Sequence, residues 1–209
     1  MTSYANQPVN SRCLEIQGLT KRFGGLSAVS GLDMTIPKGG LYGLIGPNGA
    51  GKSTVFNMIT GVYEPTSGHI LFEDEEIGGI EPHAIAGRGI ARTFQNIRLF
   101  QNLSVLDNVR IAYNMHAGYS LWEAATRTGR FSSREKDLTE QAIALLSVFR
   151  LQDRTQELAK NLPYGEQRRL EIARALALNP RLLLLDEPAA GMNPTESEDL
   201  MELIRFVRE

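Results

Sequence analysis

The chain has 209 residues, 42% of them hydrophobic and 22% charged, which is enough for one large domain or two small ones with a real core. A net charge of -2 argues against general binding to nucleic acid or to a membrane surface. The one cysteine, Cys13, excludes an internal disulfide and reads as a small buried hydrophobe, and no apolar run approaches the roughly 18 residues of a membrane-spanning helix.

The opening "MTSYANQPVNSR" is polar and lacks the apolar centre of a signal peptide, so residues 1–12 read as a mobile tail and the chain as cytoplasmic. Alternation predicts strands at Cys13–Gln17 and Leu32–Ile36, the second ending in the turn Pro37-Lys38-Gly39-Gly40. Leu41–Ile45 reads as a short apolar strand running into "GPNGAGKST". Behind it Val55, Phe56, Met58 and Ile59 suit a buried helix stopped by Gly61. A turn at Pro65-Thr66-Ser67-Gly68 leads to a strand at His69–Phe72. From about Ser104 to Phe149 the period becomes helical, with Ser104 as N-cap and Leu138, Ala142, Leu145, Leu146 and Phe149 in one stripe. Inside that stretch "HAGYSLWEAATRTGRFSSRE" looks like a surface excursion. A further helix is predicted up to Asn179-Pro180, then a strand at Leu182–Leu185, and a last helix from near Pro194.

The segment Gly46-Pro47-Asn48-Gly49-Ala50-Gly51-Lys52-Ser53 fits G-x-x-x-x-G-K-[ST] between a predicted strand and a predicted helix. Glycines there let the backbone fold closely round a phosphate and aim its N–H groups inward. The helix that follows, entered through Lys52, Ser53 and Thr54, presents its positive end to the same anion. Lys52 is expected to bridge the β- and γ-phosphates of a nucleoside triphosphate, and Ser53 to ligate Mg²⁺.

The four leucines Leu182–Leu185 read as a strand buried on both faces of a parallel sheet. The carboxylates at its exit, Asp186 and Glu187, then lie at the edge where open α/β sheets bind ligands. Asp186 is expected to hold the magnesium, and Glu187 to orient and deprotonate an attacking water. A third feature is the helix start in "KNLPYGEQRRLEIARAL". Polar Gln167, Arg168, Arg169, Glu171 and Arg174 alternate there with apolar Leu170, Ile172, Ala173 and Leu176. Ahead of them stands a turn, Leu162-Pro163-Tyr164-Gly165-Glu166, that ordinary capping does not require.

Between the phosphate loop and Asp186 a whole helical segment is threaded, which small GTPase-like domains lack. With these motifs the chain resembles the ATP-binding subunits of ABC transporters over nearly its whole length. The resemblance implies an α/β P-loop NTPase with a RecA-like core, an antiparallel β flank and an inserted α-helical subdomain. It divides one ATP-binding domain, 13–209, into a nucleotide-binding core (13–95 and 164–209) and a helical subdomain (96–163). It also implies that Phe23 stacks on adenine, although by itself Phe23 reads as a core aromatic. Gln95 in "ARTFQNIRLF" falls on the family's glutamine loop, which touches magnesium, the attacking water and the transporter's permease. Leu162–Glu166 falls on the signature motif, which in a head-to-tail dimer faces the γ-phosphate held by the other subunit. Here Pro163 offers neither hydroxyl nor N–H, so Tyr164, Gly165, Glu166, the following amides and the dipole are left to meet that phosphate. Asn193 stands where the family's D-loop usually has aspartate.

The signature, "EPAAGMNP", "ARTFQNIRLF" and the insert around Trp122 together resemble the subfamily importing branched-chain amino acids in bacteria. Urea-import and lipopolysaccharide-export subunits are the rivals. The implied partners are a second ATP-binding subunit, permease subunits and, indirectly, a solute-binding protein, with no nucleic acid; the implied place is the inner face of the cell membrane. A soluble ABC protein acting on DNA or ribosomes is the reading from another class, and it lacks support because the chain has no sustained heptads. The family's switch histidine should follow Glu187 by a few tens of residues. His69, His83 and His116 come too early, and the chain ends at Glu209. The expectation is therefore that the C-terminal core elements are missing and that the 209-residue chain binds ATP but turns it over slowly. A steady-state phosphate-release assay checks this, and family-typical turnover from this chain alone would overturn it.

Overall fold

The computed structural model describes residues 12–117 and 129–208, so residues 1–11 of the predicted N-terminal tail and the centre of the excursion around Trp122 lie outside the described residues, while Arg12, placed in that tail, begins the first strand. Contacts group the chain into two units, one up to Ile90 and one from Ala91 to Val207.

In the first unit β1 (Arg12–Phe23) and β2 (Leu26–Pro37) form an antiparallel hairpin closed by Gly24 and Gly25. β3 (Ser67–Phe72) pairs with the other edge of β1, and the short β4 (Glu75–Glu76) completes the sheet order β2-β1-β3-β4. Alternation sends Leu14 and Ile16 of β1 and Ile70 and Phe72 of β3 inward, and all four are buried. β3 passes so close to the bulged part of β1 that a Cβ on Gly68 would stand 2.5 Å from the Gly18 carbonyl oxygen. Glycine is required there. α1 (Lys52–Ile59) buries Val55, Met58 and Ile59 at helical spacing, while Phe56 is only partly covered. α2 (Pro82–Gly87) is a short turn of helix that buries Ile85.

One predicted strand does not form. Leu41–Ile45 has no regular structure, and Ile45 is 94% exposed. An apolar run becomes a strand only when a neighbour completes its ladder of N–H and C=O groups. Among the described residues no strand pairs with it.

The second unit is mainly helical. α3 (Val105–Ala117), α4 (Gly129–Val148) and α5 (Tyr164–Leu176) pack round Val105, Val109, Ala142, Leu146, Phe149, Leu151 and Leu170, all inaccessible to solvent. Ser104 caps α3 as expected, its Oγ accepting from the Asp107 N–H at 3.0 Å. Buried Asn108 is satisfied by the Phe100 main chain and the Ser104 carbonyl. β5 (Ile90–Arg92) and β6 (Leu182–Leu184) form a separate two-stranded sheet, extended by the Thr93 N–H donating to the Leu184 carbonyl. The expectation of a strand buried on both faces needs correction: only Leu184 is buried in β6, because β5 is its one partner among the described residues. α6 (Pro194–Arg208) closes the unit, with Leu200 buried.

Phe149 fills the centre of this helical core, so Phe149→Ala should cost about 3–5 kcal/mol. Denaturant titration of the two proteins, followed by far-ultraviolet circular dichroism, measures the loss.

Candidate functional site

The segment Gly46–Ser53, expected to bind phosphate, lies in the first unit. Gly49 and Gly51 take positive φ, and Gly51 is the N-cap of α1 at φ 86°. A Cβ on Gly51 would stand 2.3 Å from the Ala28 carbonyl oxygen of β2, so the loop enters its helix against the hairpin. No acidic side chain occupies the first turn of α1 and none caps it, which leaves the helix start open to an anion. Lys52 turns its ammonium back over the loop, donating to the Gly46 carbonyl at 2.6 Å and the Pro47 carbonyl at 2.9 Å. The Ala50 N–H donates to the Pro47 carbonyl and braces the turn through Asn48. Ser53 is exposed, and Thr54 follows it in the first turn of α1.

Phe23 ends β1 and is 42% exposed, against its reading in isolation as a core aromatic. Tyr63 meets it edge to face, with ring centroids 5.3 Å apart, and the Lys21 ammonium lies 5.1 Å from the Phe23 ring centre. This exposed aromatic pair is a surface on which a planar ring can stack. Tyr63 was not legible beforehand, because only the fold brings it beside Phe23.

The second unit gathers the carboxylates and the glutamine. Asp186 and Glu187 follow β6, and Arg92 ends β5 beside it. The Arg92 guanidinium donates to Asp186 Oδ2 at 2.8 Å, with both side chains largely buried. Gln95 Nε2 donates to Glu187 Oε2 at 3.0 Å, so two predicted catalytic residues touch. Glu187 adopts φ 46°, a conformation that costs a non-glycine residue of order 1–3 kcal/mol and is concentrated at functional sites.

The signature turn is in the same unit. Pro163 is the N-cap of α5, with no side-chain cap. The Tyr164 ring lies 3.2 Å from the Cβ position of Gly191, and the Glu196 carboxylate 3.1 Å from that of Gly165. Asn193 and Glu196 cap α6 reciprocally: the Asn193 Oδ1 accepts from the Glu196 N–H, and the Glu196 Oε2 from the Asn193 N–H. That pairing gives Asn193 its local role. Glu166 points its carboxylate toward Arg154, 3.6 Å away, and Arg169, which offsets its charge at the helix start. The hydrogen bond to Glu157 and the charge of Glu166 hold the Arg154 pKa above its usual value.

Sequence reading gave no role to Arg168 and Glu171. Both are buried and paired at 2.8 Å. Charges three apart on a helix ordinarily mark a solvated face, so nothing local announced them.

A sequence profile described as ABC transporter matches residues 29–190. The chain belongs to the ABC transporter ATP-binding family. It is 45% identical over 195 residues to the high-affinity branched-chain amino acid transport ATP-binding protein BraF of Pseudomonas aeruginosa, covering 93% of this chain and 76% of that protein. The corresponding protein LivG of Escherichia coli K12 is 42% identical over the same shares. The crystal structure of MJ1267, an ATP-binding cassette of an ABC transporter in its ADP conformation, superposes with a TM-score of 0.80 at 31% identity, covering 94% of this chain and 77% of that one. The fold is thus that of a P-loop NTPase cassette, and the family binds and hydrolyses ATP.

The residues present fit a magnesium nucleotide. Lys52 Nζ already seeks oxygen acceptors over the loop, where phosphate oxygens offer stronger ones. Among the described residues no cluster of three or more His, Cys, Asp or Glu could hold a metal by itself. Magnesium is commonly bound through only one or two protein oxygen groups together with substrate phosphates, and the Ser53 hydroxyl and the Asp186 carboxylate are each of a type it accepts. Gly51→Ala places a methyl group against a main-chain carbonyl and strains φ as well, so affinity for a fluorescent ATP analogue should fall at least about tenfold. Undiminished binding in a fluorescence titration would show that the loop does not need its glycine.

Proposed function

We propose that this chain is the ATP-binding and ATP-hydrolysing subunit of a bacterial importer for branched-chain amino acids. The observation carrying the catalytic part is the contact of Gln95 Nε2 with Glu187 Oε2, directly after Asp186. The transport part is supported by the identity with BraF and LivG. Urea import and lipopolysaccharide export are the alternatives within the family. The domain comprises a nucleotide-binding core, 13–95 and 164–209, and a helical subdomain, 96–163.

In this reading Phe23 stacks on adenine with Tyr63 behind it. The loop Gly46–Gly51 and the start of α1 at Lys52, Ser53 and Thr54 cradle the phosphates. Ser53, Asp186 and Gln95 would hold magnesium, which when bound would supply positive charge against the phosphates. Glu187 takes a proton from the attacking water while Gln95 fixes the carboxylate's orientation. Tyr164, Gly165 and Glu166 face the γ-phosphate bound by a second ATP-binding subunit, so ATP closes the dimer and hydrolysis reopens it. Permease subunits are engaged through the loop of Gln95 and the helical subdomain, at the inner face of the cell membrane. A solute-binding protein acts on the transporter from outside.

Glu187→Gln removes the base but keeps the hydrogen-bonding shape. ATP should then bind and hold the dimer closed, with turnover down at least about a hundredfold. Adding Gly165→Trp displaces the Glu196 carboxylate and fills the turn that faces the partner's phosphate. ATP should still bind, and the dimer should disappear from sizing chromatography with ATP and magnesium. A double variant that dimerises like Glu187→Gln would refute the signature role.

A further inference from the structure

The Arg168 side chain, fully buried, uses both terminal nitrogens in four directions. Nη1 donates to the Phe94 carbonyl at 2.7 Å and to Glu171 Oε2 at 2.8 Å. Nη2 donates to the Gln95 carbonyl at 2.8 Å and to the Tyr164 hydroxyl at 3.3 Å. Glu171 is 2% exposed, and its second oxygen, Oε1, accepts from the Arg98 N–H at 3.1 Å. The segment from Phe94 to Arg98 is therefore gripped at both ends by two side chains one helical turn apart on α5. The Arg98 guanidinium, 4.3 Å from the Phe94 ring centre, folds the segment over itself.

We propose that Arg168 and Glu171 form a positioning clamp that sets the reach of Gln95 to Glu187 and joins that loop to the signature turn at Tyr164. The geometry supports three steps. First, a loop of this length has no regular backbone pairing of its own, so its carbonyls must be met by side chains. A planar guanidinium satisfies two successive carbonyls at once, which an ammonium cannot do in the same way. Second, Glu171 neutralises Arg168 and also takes the Arg98 N–H, so removing either member of the pair frees both ends of the loop. Third, the Tyr164 hydroxyl sits on the nitrogen that holds the Gln95 carbonyl. A shift of the signature turn is thereby transmitted to the backbone of Gln95 within one subunit. Arg168 and Glu171 act through Gln95 and are positioning residues. Their relevance to turnover rests on the proposed role of Gln95; the clamp itself does not.

The test is hydrogen exchange of the Arg98 amide in the 209-residue chain, read by NMR or by mass spectrometry of peptides spanning 94–100. Arg168→Met with Glu171→Leu replaces the pair by apolar groups of similar size, which proteins tolerate better than breaking one partner. Exchange at Arg98 should rise at least tenfold while that of α3 and of β1 stays within twofold. Arg168→Lys keeps the charge beside Glu171 and provides a second variant should the apolar pair fail to fold. It should loosen the Arg98 amide severalfold with little change in melting temperature. Unchanged exchange at Arg98 in a folded variant, or a rise spread evenly over the chain, would overturn the clamp. Gln95→Ala separates the two ideas, since it leaves the clamped carbonyl in place. Arg98 exchange should then match the parent, and ATP turnover that persisted would count against the Gln95 role alone.

Discussion

Burying a guanidinium and a carboxylate together costs each its hydration, several kcal/mol per ion even after the surroundings relax. The Arg168–Glu171 pair survives this because nearly every polar direction is answered by a main-chain group or a hydroxyl. The acceptors are not on α5 itself but on the loop at 94–98, so the helix and loop are defined together. What depends on that loop is the placement of Gln95, and through it the contact with Glu187. A charge pair that looks like helix decoration thus sets the local order of the carboxylate site.

The phosphate loop meets a different constraint. Its shape comes from glycine backbone geometry and from contact of Gly51 with β2, rather than from a flanking strand. Leu41–Ile45 leads into it without ladder partners among the described residues. The loop nonetheless keeps the features an anion needs: an open helix start, a lysine ammonium folded over it and no competing acid. Anion affinity here is a property of local backbone and of one side chain.

Much of this was legible because its causes are local. The glycine-lysine spacing of the phosphate loop, the Ser104 cap and the apolar stripe through Phe149 each follow from a few neighbouring residues. The misses share a non-local cause. Leu41–Ile45 has the composition of a strand, but composition does not provide a neighbour. Leu182–Leu185 has four apolar positions in sequence, yet the burial of the strand within it, β6, is set by how many strands flank it. Tyr63 gains its meaning from Phe23, at the far end of β1. Arg168 and Glu171 are buried by a loop 73 positions earlier than Glu171, which no window on α5 reveals.

Asp186 shows how the same site reconciles two demands. A carboxylate expected to meet a dication must be oriented beforehand, yet an uncompensated charge in that setting would destabilise the fold. Arg92 meets both needs through Oδ2, while Oδ1 accepts no hydrogen bond among the described residues. One oxygen is thereby held and the other left for a further ligand. Since a carboxylate has lone pairs on both oxygens, a cation at Oδ1 does not require the arginine to leave. Under the proposed role of Asp186, the ion pair therefore leaves room for a metal beside it, whereas a pairing through both oxygens would close the site.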